Sequence, residues 1–344
     1  MIDEIISDDA ARTASQIKSL ADRKILITGG AGFIGSWLCD ILSATGSNIT
    51  CIDNLSTGLT ENLDHHNGRG GFRFIEEDIS ALTTPLPPPQ DFILHLASRA
   101  SPDEYQEHPI ETLRANSLGT LTVLELARKW DSPLLYTSTS EVYGDAQTIP
   151  TPETYWGHVN PVGVRSCYDE GKRFGEALCM AYRREHGLDI RITRIFNTYG
   201  PRIRADGAYA RALPKFITQA LAGKDITVYG EGSQTRSFSY ITDTAHAILQ
   251  ALTTPKAEGE ILNVGNPHEV AILKLAGMIR NLTASRSKIT FHPLPPDDPY
   301  RRQPDIRKVT RILNWKPEIS LGDGLKKTIA WYSRRVTSTS SMSP

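Results

Sequence analysis

Ile25-Leu26-Ile27-Thr28-Gly29-Gly30-Ala31-Gly32-Phe33-Ile34-Gly35 joins a short apolar run to a glycine-rich turn. The run reads as a buried parallel strand, because a strand covered on both faces is continuously apolar rather than alternating. Glycines at 29, 32 and 35 let the chain turn tightly, bring backbone N–H groups close to a pyrophosphate and aim a helix N-terminus at its charge. Such a loop alone is a weak signal. It gains weight from a second strand, residues 48–52, that ends in Asp53 at roughly the twenty-residue spacing of a dinucleotide site. A carboxylate there accepts bonds from an adenosine ribose and repels a 2′-phosphate, which favours NAD over NADP. The alternative is that Asp53 merely starts a turn with Asn54.

Outward from this turn, strand and helix signals alternate, the pattern of an α/β doubly wound parallel (Rossmann) sheet. Further strands are expected at residues 72–75, 92–96, 134–137 and 190–195, and long helices at about 110–130 and 167–186. After Gly200-Pro201 glycine, proline and charge become denser. Short units at 226–229 and 261–264 suggest a smaller C-terminal substrate-binding lobe at the strands' carboxyl ends, where ligands bind in open α/β sheets. The expected division is an N-terminal extension (1–22), a dinucleotide-binding domain (23–200) whose core continues in later segments, a lobe (201–335) and a disordered Ser/Thr-rich tail (336–344). The prolines from Pro85 to Pro89 read as a stiff connector, and Ile2, Ile5, Ile6, Ile17 and Leu20 either pack as an extra helix or stay loose.

At 344 residues, 39% hydrophobic and 22% charged, the chain can bury one large core or two modest ones. A net charge of -1 gives no hint of a nucleic-acid partner. No apolar run approaches a membrane span, and the acidic N-terminus lacks the features of a signal peptide. Cys39, Cys51, Cys167 and Cys179 have no metal spacing, so reduced thiols, no metal and a cytoplasmic location are expected.

Tyr168 and Lys172 share a helix face. An ammonium there should pull the phenol down from its ordinary pKa of about 10, making it a base for an alcohol proton. Upstream, Tyr136-Thr137-Ser138-Thr139-Ser140-Glu141-Val142-Tyr143-Gly144 leaves a strand with hydroxyls suited to a sugar and an acid, Glu141, near where the ring should lie. Read alone, that stretch is equally a capped turn.

With these pieces in one order, the chain resembles the extended short-chain dehydrogenase/reductase superfamily, and within it the UDP-glucuronate decarboxylases, from about Lys24 to Tyr332. The most specific stretches are Tyr155–Pro161 running into Arg165–Lys172, Arg194–Arg202, Val228–Phe238, and Pro295–Pro299 followed by Arg302–Ile306. The resemblance implies that Tyr168 is the base, Lys172 its modulator and ribose ligand, Thr139 a partner of the reacting hydroxyl, Glu141 an acid near the ring, and Arg302 a group facing the carboxylate or C5. It places NAD against Gly29, Gly32, Phe33, Ile34, Gly35, Asp53, Asn54, Thr57, Gly58, Asp78, Ile79, Leu96 and Ala97. The nucleotide sugar falls to Asn197, Arg211, Lys215, Tyr229 and Arg236. It also implies a homodimer formed through two helices per subunit.

The chemistry expected of the family is oxidation at C4, loss of carbon dioxide from the β-keto acid, and re-reduction, so that NAD is regenerated and stays tightly bound. Two departures bear on the substrate. The loop from Arg204 to Pro214 is longer than usual, and Arg99 stands where a proline is expected, which leaves a dTDP-linked sugar open. A nucleotide-sugar 4-epimerase or 4,6-dehydratase is the second reading, the dehydratase weakened because Ser140 replaces the Asp of its Asp-Glu pair. A non-enzymatic NAD-binding protein is the third.

Overall fold

A computed structural model of the chain describes residues 2–87, 89–205, 211–293 and 300–340. The signature residues Pro295–Pro299 and the middle of the long loop, residues 206–210, lie outside them. The strands of the dinucleotide-binding half are β1 (Lys24–Thr28), β2 (Asn48–Asp53), β3 (Phe72–Glu76), β4 (Phe92–His95), β5 (Leu134–Thr139) and β6 (Ile190–Ile195). The short strands that follow are β7 (Thr198–Tyr199), β8 (Ile226–Tyr229), β9 (Thr235–Ser237), β10 (Ser239–Tyr240), β11 (Ile261–Val264), β12 (Glu269–Ala271), β13 (Ile289–His292) and β14 (Arg301–Arg302). Helices α1 (Glu4–Ser15), α2 (Phe33–Ala44), α3 (Pro102–Glu107), α4 (Pro109–Arg114), α5 (Thr120–Trp130) and α6 (Ser166–His186) precede α7 (Ala212–Leu221), α8 (Ile241–Thr253), α9 (Ile272–Leu282), α10 (Arg307–Leu313) and α11 (Leu321–Ser340).

Among the described residues the central sheet is parallel and ordered β11-β6-β5-β4-β1-β2-β3. The chain winds outward from β1 to β3, crosses back to β4 and winds the other way. Its order reverses between β1 and β4, and the carboxyl ends beside that point form the ligand crevice of such sheets. Ile25, Leu26 and Ile27 are fully buried, as a strand covered on both faces requires.

Residues 261–264 do not belong to the lobe. β11 pairs with β6, Ile261 opposite Ile192, and closes one edge of the central sheet. The lobe is built from β8 with β13, and from β9 with β12 and β14. The disordered tail is also corrected in part, since α11 carries the backbone through Ser340. Leu325, Ile329, Trp331 and Tyr332 anchor that helix in the core and Arg335 bonds Glu61, so weak Ser/Thr propensity beyond them only extends a formed helix. The expected long helix at 110–130 is α4 and α5 joined by a single π turn, Ala115–Gly119.

The N-terminal extension packs. Asp3 caps α1 through Ile5 N–H, Ile6, Ala10 and Ala14 are buried, and Tyr240 donates to Asp9 at 2.9 Å. No helix among the described residues is long and apolar enough to cross a membrane.

At the end of α2, Asp40 ties three segments together. Nε2 of His65 and of His66 lie 2.6 and 2.8 Å from one of its oxygens, and Arg202 donates to the other at 2.6 Å. These atoms could hold a metal ion, but they already satisfy one another and Arg202 supplies the cation. Burial raises the Asp40 pKa, and the histidine bonds and Arg202 outweigh it, bringing the carboxyl to about 2. A folded pKa below the unfolded one gives stability that is present above about pH 4 and fades as pH falls toward 2. Asp40→Ala should lower the unfolding free energy by about 3 kcal/mol at neutral pH, with the deficit shrinking in acid, as read by denaturant unfolding. A deficit as large at pH 3 as at neutral pH overturns this.

Candidate active site

The glycine turn works as its spacing implies. Gly29 sits at φ 76°, and a Cβ there would meet Ala97 N at 2.7 Å. At Gly35 a Cβ would lie 2.1 Å from the Gly29 carbonyl, so α2 could not start so close to β1. Asp53 accepts from Ala31 N–H at 2.9 Å and from Leu55 N–H at 2.8 Å, and burial raises its pKa. Its alternative reading is thus half right: Asp53 shapes the turn while facing the crevice.

The crevice has a cavity of about 320 Å³. Its walls include Gly29, Gly32, Phe33, Ile34, Gly35, Asp53, Asn54, Thr57, Asp78, Ile79, Leu96 and Ala97 of the expected dinucleotide set. Thr139, Glu141, Tyr168, Lys172, Asn197 and Arg211 line it too. Gly58, Lys215, Tyr229, Arg236 and Arg302 do not, although Gly58 packs on the Asp53 carboxylate. Lys215 donates to the Tyr229 hydroxyl at 3.1 Å, and Arg236 to the Thr235 carbonyl at 2.8 Å.

Tyr168 and Lys172 project from the first turns of α6. Glu176, bonded by Arg194 from β6 and by Ser138 from β5, fastens this helix to the sheet. Tyr168 stacks on Tyr105, the ring centroids 5.0 Å apart. Lys172 Nζ donates to the Thr137 carbonyl at 2.9 Å and lies over the Tyr136 ring. The expectation that Lys172 depresses the phenol is corrected. Burial pushes Tyr168 up to about 12, while the Arg211 charge and a bond from Thr139 pull it down. Burial also brings Lys172 down to about 7, so its charge is itself conditional.

Glu141 follows β5 in a 3₁₀ turn that Thr139 caps through Glu141 N–H at 3.2 Å. Arg165 grips one carboxylate oxygen and Arg302 the other. Arg302 is brought there by β14, which pairs with β9, and by Thr151, which bonds the backbone at Gln303 and Asp305. Burial raises the Glu141 pKa, but Arg302 and Arg165 overcome it and hold the carboxyl at about 2. Glu141 is therefore a bound carboxylate with no proton to give, which corrects its expected part as an acid. Nη2 of Arg302 and Nδ2 of Asn197 are buried with no partner among the described residues, two donors left for a ligand.

Arg165, which grips Glu141, and Asp169, 3.9 Å from Arg165, escape a reading of the sequence, although their i,i+4 spacing at the start of α6 was a signal. Arg99 lines the crevice and pairs with Glu104 at 2.5 Å.

Residues 25–265 match the NAD dependent epimerase/dehydratase family. UDP-glucuronic acid decarboxylase 1 of Danio rerio is 48% identical over 316 residues, covering 92% of this chain and 74% of that protein. UDP-glucuronic acid decarboxylase 3 of Arabidopsis thaliana is 46% identical, covering 88% and 86%. Among solved structures, UDP-glucuronic acid 4-epimerase from Bacillus cereus, in complex with a fluorinated UDP-glucuronic acid and NAD, superposes with a TM-score of 0.82 at 30% identity, covering 91% of this chain and 99% of that one. The glycine turn, the crevice at the sheet's reversal and these likenesses have one source: the chain belongs to the NAD dependent epimerase/dehydratase family, where UDP-glucuronic acid decarboxylases are its relatives over nine-tenths of its length.

Proposed function

We propose that the protein is an NAD-dependent decarboxylase that converts UDP-glucuronate to UDP-xylose. The observation that carries this reading is the Arg165–Glu141–Arg302 clamp: Glu141 lines the crevice together with Tyr168 and Thr139, and the Arg302 it holds keeps one guanidinium nitrogen without a partner among the described residues. A sugar with a carboxylate at C6 and a hydroxyl at C4 suits both groups, and the relatives named above act on UDP-glucuronic acid.

The residues fit a dinucleotide: a turn that tolerates no Cβ at Gly29, a helix N-terminus, and Asp53 and Asp78 at successive strand ends. NAD, when bound, accepts a hydride from C4 and returns it. Tyr168 takes the O4 proton, which requires the Arg211 charge and the Thr139 bond to offset its burial. Once C4 is a ketone, the carboxylate is β to a carbonyl, and carbon dioxide leaves with the electron pair settling on O4. Tyr168 and Thr139 stabilise that oxyanion by hydrogen bonds. Glu141, kept ionised, orients Arg302 against the departing carboxylate. Asn197 and Arg211 face the diphosphate side, and Lys172 the ribose.

Given UDP-glucuronate, the protein should release carbon dioxide without net accumulation of NADH. Stoichiometric NADH accumulation contradicts the reading.

Asp53 sets cofactor choice in this account. Asp53→Ala, with a basic residue introduced nearby, should relax the preference for NAD over NADP, measured as the two dissociation constants. Equal binding of both by the native protein removes Asp53 from the ribose. The exposed Ile110, Leu113, Leu121 and Phe174 on the face of α4 to α6 suit a homodimer, which sedimentation tests.

A further inference from the structure

Four buried or half-buried charges stand in a row beneath the crevice. Asp169 Oδ2 lies 3.9 Å from Arg165 Nε, Arg165 bonds Glu141, and Glu141 bonds Arg302. Each end is unfinished: Arg302 Nη2 and Asp169 Oδ1 are buried without partners among the described residues. With both carboxylates ionised, the row sums to zero. A third carboxylate arriving at Arg302 makes it negative by one in a medium of low dielectric, which is costly unless a proton enters with it.

The described groups facing Asp169 are Arg165 at the N-cap of α6, Glu170, Cys167 and Tyr168 on α6, Tyr105 on α3, Glu141 after β5 and Arg302 on β14. Glu141, between two guanidiniums, cannot take the proton. Arg211 also acts on Glu141 but bonds the Ala100 carbonyl on the opposite wall, where the diphosphate is assigned. Burial and the Glu141 charge raise Asp169 against Arg165 and Arg302, to about 7, so it changes charge in the working range.

Resting on the hexuronate reading above, we propose that Asp169 is the charge-compensating carboxyl of the site. It binds a proton as the substrate carboxylate docks on Arg302 and releases it when that carboxylate leaves as carbon dioxide. In that step the C5–C6 bond breaks, its electron pair passes to the sugar, and a separate proton later joins C5. Asp169 touches neither substrate nor cofactor. It is a positioning residue, acting through Arg165 and Glu141.

Calorimetry with the NAD-loaded Tyr168→Phe protein, in which binding is kept and turnover is slowed by at least about a hundredfold, tests this. Titration with UDP-glucuronate in buffers of different ionisation enthalpy should give an uptake of about half a proton per site at pH 7, rising toward one at pH 8. UDP-xylose, which lacks the carboxylate, should give none. Adding Asp169→Asn, a neutral mimic, should abolish the uptake and keep UDP-glucuronate affinity flat above pH 7, where the parent weakens by up to about tenfold per pH unit. Binding without uptake in the parent, or uptake unchanged by Asp169→Asn, overturns the proposal alone. Should the asparagine variant fail to fold, the contrast between UDP-glucuronate and UDP-xylose in the parent decides. Failure to bind UDP-glucuronate while UDP-xylose binds overturns the hexuronate reading instead.

Discussion

Tyr168→Phe should lower turnover by at least about a hundredfold, roughly 3 kcal/mol of barrier, while nucleotide-sugar affinity stays nearly intact. The ring remains, and with it the stacking on Tyr105, so the loss is confined to the oxygen that receives the O4 proton. Because burial holds that phenol at about 12, the native enzyme gains rate as pH rises toward the phenol's working pKa. The phenylalanine variant loses that dependence. Near-normal turnover in Tyr168→Phe would remove the phenol from the mechanism.

Arg302→Ala should separate the two halves of the reaction. Oxidation at C4 needs Tyr168, Thr139 and Lys172, whereas loss of carbon dioxide needs the group that holds the carboxylate. In single-turnover experiments reduced cofactor should still appear by absorbance, with carbon dioxide release slowed by about a hundredfold or more and the 4-keto sugar leaking away. Glu141→Ala should act in the same direction, since it leaves Arg302 without its ion-pair partner, leaves Arg165 only the longer contact with Asp169, and withdraws the carboxylate that aims Arg302. Carbon dioxide release at the native rate in either variant returns that residue to a purely structural ion pair.

The dinucleotide half was legible because its signals are local. Ile25 to Gly35 specify a strand, a turn and a helix start within one short stretch, and Asp53 follows at the spacing the fold requires. Tyr168 and Lys172 are four residues apart, so helical periodicity alone puts them together. What stayed hidden depends on distant partners. Ile261–Val264 reads as one more short apolar strand, and nothing in it says that Ile192 is opposite Ile261. Glu141 looked like an acid because its clamp comes from Arg165 and Arg302, 24 and 161 residues away. The phenol was expected to be lowered because a sequence shows the lysine beside it but not the burial that outweighs it. The Ser/Thr composition of 336–340 looked disordered, whereas Trp331 and Tyr332 had already fixed the helix that those residues prolong.

Incubation of the protein with NAD and UDP-glucuronate bearing deuterium at C4, followed by mass analysis of the nucleotide sugar, tests the central claim most directly. The account predicts a UDP-pentose lighter than the substrate by carbon dioxide, with the deuterium retained because the hydride leaves C4 and returns to it. A product of unchanged carbon count, whether an isomer of equal mass or one lighter by water, would contradict decarboxylation.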